Sequence, residues 1–156
     1  MMKKFLAVLF CLVMGVSAAA CSGPAKAANV EGTLADLLAK IYENTGVEAP
    51  MTFDAELTAD NVAYMLGTAD VAFTEGITSE PMVGSIPHSI ILFRADDNAD
   101  IEATKAAIKA NIDPRKWICV GVDPKNVIVD SIGDLVFVVM SNDAAAYHDS
   151  FLKLAE

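Results

Sequence analysis

The sequence predicts an α+β fold: an antiparallel sheet of four to five strands with helices packed on one face, preceded by one or two N-terminal helices. Three patterns predict it. Leu34, Leu37, Leu38, Ile41 and Tyr42 recur at helical spacing. From Val71 the apolar period changes to two. Two apolar runs, residues 127–132 and 135–140, flank Gly133-Asp134, a tight-turn pair.

The elements follow in order. Residues 33–45 form the first helix, with Thr33 and Asp36 as a capping box and Gly46 as its stop. A second, shorter helix takes Thr58 as cap, carries Val62, Met65 and Leu66, and ends at Gly67. Residues 71–78 read as a half-buried strand with Val71, Phe73, Glu75 and Ile77 on one side. Residues 79–88 contain Pro81, Gly84 and Pro87 and read as a loop. Residues 89–95 are a strong strand. Residues 96–100 cap a helix reaching Ile112, with Ile101, Thr104, Ile108 and Ile112 inward. Beyond Pro114, residues 117–122 read as a strand that buries Cys119. The run 135–140 lacks alternation and belongs at the centre of the sheet, covered on both faces. Ser141 or Asn142 caps a last helix with Ala144, Tyr147, Phe151 and Leu154 on one side. Helices 101–112 and 143–154 are expected to cover one face, over Phe93, Phe137 and Phe151.

The first 20 residues have the layout of an export signal. Lys3-Lys4 precedes an apolar run from Phe5 to Val16, and Ala18-Ala19-Ala20 leads into Cys21. The run is short for a membrane span. A cysteine directly after such a site is the attachment point of a bacterial lipid anchor. Ala18 stands where lipoprotein signals usually carry Leu, and ordinary secretion, with cleavage after Ala20 or Ala27, is the alternative. The expected organisation is a signal at 1–20, a tether at 21–32, and one α+β domain at 33–156. Ser22 to Gly32 spans at most about 36–40 Å when extended, which holds the folded part near the membrane surface.

Removal of the signal leaves 136 residues and a formal charge of −12, nine basic against 21 acidic side chains. That surface repels nucleic acid and anionic lipid head groups. Cys11 lies in the signal and Cys21 at the anchor, so Cys119 has no internal disulfide partner.

The body of the chain resembles an uncharacterised family of small lipoproteins from low-GC Gram-positive bacteria. The resemblance is carried by the segment from Glu80-Pro81-Met82-Val83-Gly84-Ser85-Ile86-Pro87-His88 to Ser89, the strand Ile90 to Arg94, Lys116-Trp117-Ile118-Cys119-Val120, and Gly133-Asp134-Leu135-Val136 before Met140. It implies a lipoprotein with an α+β body, and no activity, substrate or cofactor.

Motifs for chemistry are sparse. Residues 96–102 resemble a calcium loop, but the sixth position is Ile101 and the twelfth Ala107, which points to helix capping. His88 and His148 lack ligand spacing, and no metal or cofactor is expected. Ser85 and Ser89 have no nucleophile elbow. Glu75 and Glu80 could pair as carboxylates only if strand and loop brought them together. The expected function is a non-enzymatic extracellular domain, lipid-anchored to the cell membrane through Cys21, that binds an envelope protein or peptide. Its contact centres on residues 78–88, at Met82, Val83, Ile86 and His88, because loops carry function more often than packed elements. The alternatives are an envelope hydrolase assembled around His88, Ser85 and Glu80, and a small-ligand binding lipoprotein. Met82 and Ile86 could also serve simply as plugs at one end of the sheet.

Overall fold

A computed structural model describes residues 29–156. The signal, Cys21 and most of the tether lie outside the described residues. Along the chain come α1 (Leu34–Asn44), β1 (Thr52–Glu56), α2 (Val62–Leu66), β2 (Phe73–Pro81), β3 (His88–Ala95), α3 (Ile101–Asn111), β4 (Val127–Ile132), β5 (Leu135–Ser141) and α4 (Ala144–Leu152). The five strands form one antiparallel sheet in the order β1-β2-β3-β5-β4. This is the expected α+β class. Among the described residues no helix is long and apolar enough to cross a membrane.

The helices cover both faces of the sheet, not one. Strand alternation sends Ile90, Leu92, Phe137 and Val139 to the face under α1 and α4, where they meet Leu37, Leu38, Ile41, Tyr147 and Phe151. Ile91, Phe93, Val136 and Val138 turn to the opposite face and meet Leu66 of α2 and Ile108 of α3. Helices α3 and α4 therefore pack on opposite faces, contrary to expectation. The runs in β3 and β5 are apolar on both sides because both sides are covered. Phe93, Phe137 and Phe151 are fully buried, as expected, but Phe93 belongs to the other core.

Local chemistry sets the ends of these elements. Thr33 Oγ1 accepts from the Asp36 backbone N–H at 3.1 Å and caps α1. Asp100 Oδ1 accepts from the Ala103 N–H at 3.0 Å and caps α3, so the acidic run 96–102 does start a helix. Gly67 ends α2 at φ +75°, and a Cβ there would lie 2.2 Å from the Asn111 carbonyl oxygen. Only glycine lets α2 sit this close to the end of α3. The last helix starts after Asp143, whose N–H donates to Ser141 Oγ at 3.3 Å.

Four details depart from the sequence reading. Strand β1 falls between the first two helices, where no strand is expected. Its pairing of Thr52 with Pro81 extends β2, so the expected 79–88 loop shrinks to residues 82–87 and His88 opens β3. A register shift between Phe73 and Glu75 splits the expected stripe: Phe73 packs toward α2 and α3, Ile77 toward α1 and α4. Residues 117–122 are a loop, with Cys119 exposed at φ +64°. The chain there folds back through Val122 N–H to the Pro114 carbonyl, 2.9 Å, and has no strand partner.

Candidate functional site

The proposed contact residues gather at the end of the sheet where β2 turns into β3. Met82 is 63%, Val83 48% and Ile86 37% exposed. Met51, exposed as well, joins them through its carbonyl, which accepts from Met82 N–H at 2.9 Å. Ile118 of the 113–122 loop lies on the other side, beside Gly84. Exposed Met82 and Val83 plug nothing, which removes the structural alternative for Met82. The N-terminal segment meets the opposite end of the sheet. There Arg94 Nη2, at the far end of β3, donates to the carbonyls of Val30 and Gly32, each at 2.9 Å. Strand rise places the two ends about 20 Å apart.

His88 behaves differently from its three companions. It is 1% exposed and faces α1 and α4. The Tyr42 hydroxyl donates to Ser79 Oγ at 3.0 Å, so its oxygen is free to accept from His88 Nε2, 2.9 Å away. The other ring nitrogen, Nδ1, is buried without a partner. Burial lowers the His88 pKa to about 4, against a smaller opposing pull from Asp143, so the ring is neutral at neutral pH. Tyr147 packs edge-on against the ring at 5.2 Å, and burial first, then Tyr42 and Asp143, raise its hydroxyl to about 12. A cavity of about 310 Å³ opens beside this cluster, walled by Glu48, Pro50, Ile86, His88, Asp143 and Tyr147.

The sheet's other face carries a second polar cluster at the same end. Lys116 Nζ donates to Glu80 Oε1 at 2.9 Å and to Ser89 Oγ at 3.1 Å, and lies 3.6 Å from Met65 Sδ. Ser89 Oγ donates to the same Glu80 oxygen. The rings of Tyr64 and Trp117 cap the ammonium at 5.8 and 5.5 Å. Burial lowers the Lys116 pKa and the Glu80 carboxylate opposes that shift. A serine within reach of a lysine is the start of a nucleophile and base pair. Here the serine proton is committed to Glu80, the lysine is held as a cation, and its side chain is 2% exposed. The arrangement is a closed ion pair that fastens the 113–122 loop to the sheet.

The structure does not assemble the residues of the hydrolase alternative. His88 and Glu80 lie on opposite faces, and Ser85 is exposed in the turn between their strands. Glu75 turns to Arg94 at 3.0 Å and is separate from Glu80. His148 pairs with Asp130 at 2.8 Å. Among the described residues no group of three His, Cys, Asp or Glu side chains could hold a metal ion. Sequence reading missed Lys116, Tyr42, Tyr147, Glu48 and Asp143 as members of these clusters. Comparison with family models, with curated proteins and with solved structures finds no match to this chain.

Proposed function

We propose that the chain is an extracellular lipoprotein of the cell envelope, tethered to the membrane through Cys21, that binds a protein or peptide partner and catalyses no reaction of its own. On this reading it belongs with the uncharacterised small lipoproteins of low-GC Gram-positive bacteria that it resembles. One observation carries the binding role: Met51, Met82, Val83 and Ile118 are exposed together at one end of the sheet. Contiguous exposed apolar surface marks interaction sites in soluble proteins. Its place supports the reading too, because the chain at Val30 and Gly32 meets the end of the sheet opposite the apolar residues.

The anchor and the contact are tested separately. Cys21→Ala should move the protein from the membrane fraction to the medium, and intact mass should show a lipid adduct on the wild-type cysteine. An unmodified Cys21, or a mature chain starting at Ala28, overturns the anchor. For the contact, a photocrosslinker at position 83 should give discrete adducts on whole cells that the same group at position 97, at the other end of β3, does not give. Met82→Ser with Ile118→Ser should abolish those adducts while changing stability by only about 0.5 kcal/mol per site. Unchanged adducts in the folded double variant overturn the contact.

A further inference from the structure

The cavity beside His88 has an unusual set of walls. Glu48 and Asp143 are its charged members, and neither is in an ion pair among the described residues. No lysine or arginine lines it. His88 adds a buried nitrogen that no protein group satisfies. In the tautomer that donates Nε2–H to the Tyr42 oxygen, Nδ1 presents a lone pair and accepts. A buried acceptor left unmet is unfavourable, and a suitable donor relieves it. Two carboxylates and one imidazole nitrogen supply three acceptor groups, one for each N–H of an ammonium. The Tyr147 ring adds an aromatic wall for the stem or the charge. Ile86 lines the cavity and also borders the exposed patch, so the two surfaces are continuous.

We propose that this cavity binds the ammonium group of a lysine side chain carried by the partner segment that docks on Met82 and Val83. The inference rests on the docking reading above for the source of the lysine. Charge supports the choice: the mature chain is strongly acidic, and a partner with a basic group beside apolar residues matches both halves of the surface. The cavity is at the lower end of the roughly 300–1,000 Å³ range of small-molecule sites, room for one long side chain rather than a cofactor.

The test uses the purified protein and Nα-acetyl-lysine amide, with Nα-acetyl-norleucine amide as the probe lacking the ammonium. The lysine probe should shift the NMR signals of the His88 and Tyr147 rings saturably, and the norleucine probe should not. Glu48→Gln with Asp143→Asn removes both negative charges at surface positions and should weaken lysine-probe binding about tenfold or more. Excess lysine probe should also reduce crosslinking from position 83 on cells, which ties the site to the partner. Equal shifts from both probes, no shift from either, or unchanged affinity in the double variant overturns the ammonium site. Failure of the titration with crosslinking intact removes the cavity site and leaves the docking surface standing. Crosslinking unaffected by a lysine probe that binds overturns the partner as its source.

Discussion

Phe137→Ala should lower stability by about 3–5 kcal/mol, read as a fall of the urea midpoint or a drop in melting temperature on the order of 10–20 °C. The side chain is fully buried in the central strand β5 and lies stacked on Phe151, with ring centroids 4.6 Å apart. Its removal loses the transfer energy of the ring, leaves a cavity that Leu37, Leu38 and Tyr147 cannot close without moving, and ends the stacking contact. Phe53→Ala is the matched control. That ring is 51% exposed on the edge strand β1, and its loss should cost about 1 kcal/mol or less. If the two variants melt together, the core described here is wrong.

Glu80→Ala should cost about as much for the opposite reason, roughly 3–5 kcal/mol, because it strands a buried ammonium. Lys116 would keep Ser89 Oγ, Met65 and two aromatic rings as neighbours, none of them charged. Replacing both partners by apolar residues, Glu80→Leu with Lys116→Met, should restore most of the loss. The pH dependence has a definite sign. Burial already holds the folded-state pKa of Lys116 below its ordinary value of 10.5, and loss of Glu80 lowers it further. Between that depressed value and 10.5 the unfolded chain binds more protons, so the stability of Glu80→Ala should rise with pH across that window. A Glu80→Ala variant as stable as wild type at neutral pH would show that the pair is wetted in solution.

The legible parts of the fold are those written in local chemistry. The Thr33 and Asp100 caps, the Gly67 stop, the Gly133-Asp134 turn and the unbroken apolar runs of β3 and β5 each follow from neighbours within a few positions. Strand β1 was not legible because two of the five residues in Thr-Phe-Asp-Ala-Glu are charged and its one large apolar residue, Phe53, is exposed; an edge strand of five residues needs little hydrophobic pattern. The 117–122 run misled for the converse reason: Trp117 is apolar because it covers the cluster of α2 and α3, not because it pairs in a sheet. Which face each helix takes is set by parity along β3 and by the register shift at Phe73, a long-range property.

The candidate site divides in the same way. Exposure of Met82, Val83 and Ile86 follows from a short turn rich in proline and glycine, so the exposed segment could be picked from sequence. His88 could not be separated from it, because pairing with Ser141 of the distant strand β5 decides whether position 88 is loop or strand. Lys116 gave no signal, since an isolated lysine reads as solvated surface. Its partners, Glu80 and Ser89, are 36 and 27 positions away.

Arg94 has a mechanical consequence. It fastens the backbone at Val30 and Gly32 to β3, a strand bonded on both sides, and not to an edge of the sheet. The apolar end begins where the same strand starts. If a partner and a membrane tether pull on these two ends, as proposed, the load that Arg94 carries runs lengthwise down β3. Its ladder bonds to β2 and β5 lie across that line and share the load together, in shear, instead of unzipping one after another from a margin.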